Sequence, residues 1–158
     1  MGTLFAIEQA VRCRKIAGLF LLAVPIKLFL KPAMLRAPLK ILFGKTDPND
    51  KMTIAAQNCC GVEIEKNIFL YFGWLPRMVE LLRKIRATRK LLPLVKTPCN
   101  IYQSAKDELV SGGSVNYLGG YPQLKVVTLE RSGHYYYEEG DKAFLLDEFK
   151  KFIEPVSD

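Results

Sequence analysis

The sequence predicts an α/β fold with about three parallel strands, and two observations carry this prediction. Residues 18–24 form a continuous apolar run that is closed by Pro25, which is typical of a strand buried on both faces of a parallel sheet. From residue 99 onward the pattern is strand, loop, helix, strand, loop, helix. That order is the βαβα signature of parallel strands joined by right-handed crossovers.

The flanking helices are predicted from apolar spacing and from breaks. Apolar residues recur at helical spacing over residues 3–15, so the first helix begins almost at Met1, with no N-cap residue and no preceding turn. The later strands and helices are predicted in chain order at residues 99–103 (strand), 111–118 (helix), 124–129 (strand) and 144–153 (helix). The helix at residues 111–118 ends at Gly119-Gly120.

Residues 27–94 differ from the rest of the chain. Prolines interrupt basic amphipathic pieces, of which residues 78–92 give the clearest helix. Residues 68–75 (IFLYFGWL) are an aromatic cluster. Such a cluster is usually core, but between helices and breaks a ligand-covering cap is an equal alternative. We therefore expect one domain over residues 1–158, with a helical cap or lid inserted at about 27–94.

Composition narrows the class of protein. A chain of 158 residues with 49% hydrophobic and 25% charged residues is ordinary for one soluble globular domain. The net charge of +7 is spread along helical stretches, with no basic tail and no aromatic-interleaved RNA-type motif, so nucleic acid is not an expected partner. The apolar run at 16–26 is too short to span a bilayer and is better explained as a buried strand than as a signal peptide.

The cysteines and the single histidine argue against a metal site. None of the four cysteines forms a C-x-x-C pair, and Cys59 and Cys60 are adjacent, which is no spacing for a disulfide framework. With one histidine in the chain, a Cys/His zinc site is not expected. We predict no metal and no cofactor. Free thiols in a reducing, cytoplasmic environment are the default expectation.

Asp107 and His134 are the candidate catalytic residues. Each lies in a loop after a predicted strand, and the two strands are consecutive. Loops beyond the carboxyl ends of neighbouring parallel strands share one edge of the sheet, where ligands and catalytic groups lie. Separately, an Asp is most often a turn former and a lone His a hydrogen-bonded structural residue. At matched positions they favour a carboxylate-oriented imidazole, the general-base half of a nucleophilic triad.

These residues carry a family resemblance. The segments 98–110 (PCNIYQSAKDELV) and 126–136 (VVTLERSGHYY), with the closing helix, resemble the C-terminal part of the α/β-hydrolases, in their lipase/esterase and serine-aminopeptidase-like branch. The resemblance implies that Asp107 is the triad acid, that His134 is the triad base, and that residues 27–94 correspond to the variable cap. Residues 1–6 (MGTLFA) are similar to the family's segment directly after its nucleophilic serine.

The family's G-x-S-x-G elbow does not occur in these 158 residues. The resemblance places the missing serine just before Met1. Met1 then occupies the position whose backbone N–H donates to the oxyanion hole in this family, and we expect that donor to be compromised here. We expect a partial α/β-hydrolase: a serine-hydrolase lineage acting on lipid or small acyl esters, inactive as this chain alone. The strand at 18–24 would then have an unpaired apolar edge.

Two alternatives stay open. The first alternative is a non-catalytic interaction module or half of a split hydrolase, which would pair with a second copy or a complementing fragment through that strand edge. The second alternative is a basic peripheral membrane protein that binds the membrane surface through the helix at 78–92.

Overall fold

The computed structural model describes residues 1–28, 73–107 and 109–154. The greater part of the predicted cap, and the predicted aromatic cluster up to residue 72, lie outside the described residues. The elements, in chain order, are α1 (Gly2–Arg12), β1 (Leu19–Leu22), α2 (Trp74–Leu91), β2 (Cys99–Ser104), α3 (Gly113–Leu118), β3 (Leu124–Leu129) and α4 (Glu139–Ile153). A short 3₁₀ turn (Leu92–Leu94) follows α2.

The three strands form one parallel sheet in the order β1-β2-β3, which confirms the predicted fold class. Leu21 of β1 pairs with Ile101 of β2, and Ile101 pairs with Val126 of β3. β2 is therefore the central strand of the described sheet. Because α3 joins β2 to β3, the loops that follow these two strands emerge at the same sheet edge.

The prediction that residues 18–24 are buried on both faces is wrong for β1. Its burial alternates, and Leu22 is 39% exposed. Within the described residues β1 pairs with β2 alone, so one side of the strand lacks a neighbour there. The strand also ends early, because Ala23 adopts a left-handed conformation (φ 51°) while its N–H donates to the carbonyl of Tyr102 at 2.9 Å.

The last helix begins at Glu139, five residues before the predicted start at 144. Apolar spacing starts only at Phe144, and the prediction followed that spacing. The first turn instead carries Glu139 and Asp141. Carboxylates there are stabilised by the positive end of the helix dipole. The helix therefore starts on an electrostatic signal that apolar periodicity does not contain.

The main core lies between α1, α2 and the sheet. Its fully or almost fully buried side chains include Leu4, Ile7, Ile85, Leu92 and Ile101. Lys84 of α2 forms an ion pair with Glu8 of α1 and holds the two helices together. On α2 the predicted apolar face is only partly buried, since Val79 and Leu82 are exposed.

The other face of the sheet carries an aromatic cluster with α4. The ring of Phe20 lies 4.6 Å from that of Tyr102 and 5.2 Å from that of Phe149, measured between centroids. The Tyr102 hydroxyl donates to a Glu148 carboxylate oxygen at 3.1 Å. These contacts fix α4 against β1 and β2. Among the helices of the described ranges, none is long and apolar enough to cross a membrane.

Two buried side chains of β2, a thiol and a phenol, predict that the protein loses stability at alkaline pH. Burial raises the pKa of the Cys99 thiol from 9.0 to about 11. Burial, together with the contact to Glu148, raises the pKa of the Tyr102 phenol from 10.0 to about 12. The unfolded chain loses these protons first, so the stabilisation is complete below pH about 9 and is lost as pH rises through the folded pKa values. Cys99 alone should lower the free energy of unfolding by roughly 2–3 kcal/mol between pH 9 and 11.

Urea unfolding at a series of pH values checks this prediction. A Cys99→Ala variant loses packing at every pH, but its free energy of unfolding should fall less steeply between pH about 9 and 11. The remaining fall above pH about 10 should come from buried tyrosines with raised pKa values, Tyr102 among them. Equal slopes in the two proteins would show that Cys99 titrates alike in the folded and unfolded states.

Candidate active site

Asp107 lies in the loop directly after β2. Its side chain is only 1% exposed. Carboxylate oxygen Oδ1 accepts the backbone N–H groups of Leu109 at 2.8 Å and Val110 at 2.6 Å. Val110 is itself held by an antiparallel bridge to Leu28. The local turn therefore fixes one oxygen of the carboxylate and leaves Oδ2 to point elsewhere.

Oδ2 of Asp107 meets His134, which follows β3. The distance from His134 Nδ1 to Asp107 Oδ2 is 3.0 Å, and the imidazole is 29% exposed. Carboxylate oxygens accept hydrogen bonds, so the hydrogen of this contact is assigned to Nδ1. The structure thus brings together the two predicted site residues: a buried carboxylate against a half-buried imidazole, the arrangement that orients a general base.

Ser104 and Tyr137 lie beside this pair and were not predicted from the sequence. Burial raises the pKa of the Tyr137 phenol above its usual value; the nearby Ser104 hydroxyl opposes this rise, and the negative charge of Asp107 adds to it. The Ser104 hydroxyl is buried and makes no well-formed hydrogen bond within the described residues. Tyr137 therefore stays a neutral phenol beside the carboxylate at neutral pH.

The turn after β1 is fixed at the same edge of the sheet. The buried Gln103 side chain donates to the carbonyl of Val24 at 2.8 Å. From α2, Arg89 Nε donates to the carbonyl of Ile26 at 2.9 Å. These two side chains satisfy the carbonyls of a turn that begins with the left-handed Ala23. Sequence reasoning missed both, because each partner is more than sixty positions away in the chain.

Apart from Ser104, the serines of the described ranges are held in hydrogen bonds away from the Asp107–His134 contact. Ser111 Oγ accepts the N–H of Gly113 at 3.2 Å, and Ser114 Oγ donates to the carbonyl of Lys27 at 3.1 Å. Ser132 Oγ donates to Asp141 at 2.6 Å. Ser157 lies outside the described residues.

Met1, the predicted oxyanion-hole position, caps the start of α1. Its carbonyl accepts the N–H groups of Leu4 at 3.0 Å and Phe5 at 3.4 Å, and the residue is 54% exposed. The helix begins at Gly2, one residue before the predicted start at 3, and ends at Arg12, three residues before the predicted end at 15. Across the described parts of the chain, no group of three or more His, Cys, Asp or Glu side chains is arranged to hold a metal ion.

Comparison with known proteins gives structural neighbours only. No family model and no curated protein matches the chain. One of the metagenome-derived lipolytic enzymes LipS and LipT superposes with a TM-score of 0.57 at 18% identity, over 97% of this chain and 61% of its own. The α/β-hydrolase enzyme MGS-M2, from a Medee basin deep-sea metagenome library, gives 0.50 at 20% identity, over 99% of this chain and 64% of its own.

The chain therefore spans less than two thirds of the length of these neighbours. At such identities the likeness shows the fold alone. Three parallel strands with flanking helices make an α/β fold that resembles part of an α/β-hydrolase.

Proposed function

We propose that this chain carries the acid and the base of a serine hydrolase that acts on carboxylic esters, with lipid or small acyl esters as the substrate class. The single observation that carries the proposal is the 3.0 Å contact between Asp107 Oδ2 and His134 Nδ1. The contact joins the ends of neighbouring strands, in a fold whose solved neighbours include lipolytic and α/β-hydrolase enzymes.

The proposed mechanism is acyl transfer. A serine hydroxyl attacks the ester carbonyl, and Nε2 of His134 takes the hydroxyl proton and returns it to the departing alkoxide. Asp107 keeps the proton on Nδ1, so that Nε2 is the basic nitrogen, and it stabilises the imidazolium that forms. Water then attacks the acyl carbonyl while Nε2 of His134 takes a proton from it; the bond to the serine oxygen breaks, that oxygen receives the proton from His134, and the carboxylic acid leaves.

The nucleophile is proposed to lie outside these 158 residues, directly before Met1 in a longer chain or in a complementing fragment. The absence of a G-x-S-x-G segment supports this proposal. Ser111, Ser114 and Ser132 are held in hydrogen bonds of their own, and Ser104 is buried in β2. Met1 would then supply an oxyanion-hole N–H only when a residue precedes it, because only then does it carry a peptide N–H.

Labelling with a fluorophosphonate probe tests the proposal on the chain as it stands. The 158-residue protein should show no labelled serine and no ester turnover above background, since a hydrolase without its nucleophile keeps only weak residual catalysis. A labelled serine, with ester turnover that disappears in a His134→Ala variant, would place the nucleophile within this chain and overturn that part of the proposal.

A second candidate is an interaction module that pairs through β1. The observation favouring it is the apolar surface that borders this strand, where Leu22, Leu146 and Phe149 are each more than a third exposed. An unpaired apolar strand edge is a ready site for another strand. Light scattering distinguishes the candidates: a monomer that unfolds cooperatively would argue against self-pairing, and a dimer that a Leu22→Lys variant dissociates would support it.

A further inference from the structure

We propose that Ser132 and Asp141 are a positioning pair, which sets the relative placement of His134 and Asp107. This inference rests on the proposed function, because it names residues that would act through the catalytic imidazole. It is drawn from the contacts of the loop between β3 and α4, in which the family resemblance assigns a role to His134 alone.

Ser132 ties three parts of the site together. It is fully buried. Its hydroxyl donates to Asp141 Oδ2 at 2.6 Å and accepts the backbone N–H of Glu138 at 3.2 Å. Its carbonyl accepts the N–H of Lys106, the residue before Asp107, at 3.3 Å. One residue, two positions before His134, thus contacts both the loop of the triad acid and the start of α4.

Asp141 holds the same loop from the helix. The oxygen that accepts the Ser132 hydroxyl also accepts the backbone N–H of Arg131 at 3.3 Å. Asp141 lies in the first turn of α4, where the helix dipole stabilises its charge. Charge-assisted hydrogen bonds of this type are about twice as strong as neutral ones. The carboxylate therefore fixes residues 131 and 132 as one unit.

The loop is closed on the far side of His134 as well. The N–H of Gly133 donates to the carbonyl of Tyr136 at 2.8 Å. His134 thus lies within a tight turn whose first arm is anchored by the Ser132–Asp141 hydrogen bond. α4 is itself held against the sheet by its aromatic contacts with Phe20 and by the Tyr102–Glu148 hydrogen bond. The helix therefore provides a rigid support for the loop that carries the imidazole.

This arrangement makes the two residues positioning groups. Their described contacts are with each other and with backbone N–H and C=O groups, so they act through the placement of His134. Placement matters strongly, since a shift of about 1 Å at a reacting group can cost on the order of 100-fold in rate. Removing either side chain breaks the hydrogen bond between them and loosens the first arm of the His134 turn.

The test uses the tautomer of His134, which can be read by ¹⁵N NMR without any enzyme activity. His134 is the only histidine in the chain, so its ring signals need no assignment by mutation. At a pH where the imidazole is neutral, the wild-type protein should show mainly the Nδ1–H tautomer, because Nδ1 donates to Asp107. Ser132→Ala and Asp141→Ala break the same hydrogen bond from opposite ends, and each should reduce the Nδ1–H fraction at least about twofold.

Two further variants serve as controls. Asp141→Asn keeps an oxygen that can accept the Ser132 hydroxyl, so it should restore most of the wild-type tautomer. Asp147→Ala removes an exposed carboxylate of the same helix, paired with Lys151 at 2.6 Å, and should leave the tautomer unchanged. These controls separate the hydrogen bond from a general effect of losing charge on α4.

The outcomes distinguish this inference from the proposed function. A wild-type protein without the Nδ1–H tautomer would contradict the Asp107–His134 pair itself, and with it the proposed function. A wild-type Nδ1–H tautomer that persists in folded Ser132→Ala and Asp141→Ala proteins would overturn only the positioning role. Loss of the folded state in both variants would overturn that role too, because the pair would then be a determinant of the fold.

Discussion

Replacing Asp107 by Asn is expected to lower kcat about 10⁴-fold in an ester-hydrolysing form of this protein, one in which the serine proposed to lie outside these residues is supplied. The reason lies in how the carboxylate is held. Oδ1 accepts two backbone N–H groups, so the amide oxygen of Asn would occupy that place. The amide NH₂ would then face Nδ1 of His134, which must accept instead of donate. The imidazole would carry its proton on Nε2, the wrong nitrogen for a general base.

Steady-state kinetics with a small chromogenic ester measure this effect. KM should change little, since Asp107 is buried against the imidazole and, in the proposed mechanism, affects only the proton transfer. Asp147→Asn makes the same chemical change on an exposed face of α4 and should keep wild-type kcat. A kcat for Asp107→Asn within tenfold of wild type would contradict the role of Asp107 as the triad acid.

Truncation of Ile101 to Ala should destabilise the folded chain by about 2–5 kcal/mol. Ile101 is fully buried at the centre of the middle strand, in register with Leu21 on one side and Val126 on the other. A cavity there cannot be filled without moving both neighbouring strands. Because small domains are stable by only about 5–15 kcal/mol, the loss is a large share of the total.

Urea unfolding followed by circular dichroism gives the difference in free energy of unfolding. Leu146→Ala is the matched control: Leu146 lies on α4 and is 62% exposed, so its truncation should change stability by less than about 0.5 kcal/mol. Similar losses for the two variants would mean that the sheet is not the centre of the core.

The sheet was predictable because its signals are local. β3 spans the predicted residues, and β2 extends one residue further, to Ser104. Each is a short apolar run bounded by turn residues, so the pattern itself marks the strand. β1 was less predictable, since the same apolar run gives no sign of the left-handed turn at Ala23 that ends it. When a turn is built from apolar residues, hydrophobic periodicity cannot distinguish it from the strand that precedes it.

The candidate site was predictable in Asp107 and His134 and not in their surroundings. Asp107 and His134 stand out because each follows a strand, and parallel strands bring such loops together. The supporting contacts depend on tertiary structure: Gln103 contacts a carbonyl 79 positions away, and Arg89 one 63 positions away. Ser132 and Asp141 are only nine positions apart, yet a serine in a loop and an aspartate in a helix give no sign of pairing until α4 is placed.

The most direct test of the central claim asks two things: whether a serine precedes this sequence, and whether labelling of that serine requires His134. The residues encoded in frame before Met1 are joined to the chain, and the product is labelled with a fluorophosphonate and digested for mass spectrometry. We predict one labelled serine, directly before Met1 in a G-x-S sequence, and loss of its labelling in His134→Ala. A stop codon at that place, an extension without a serine, or labelling that persists without His134 would contradict the account.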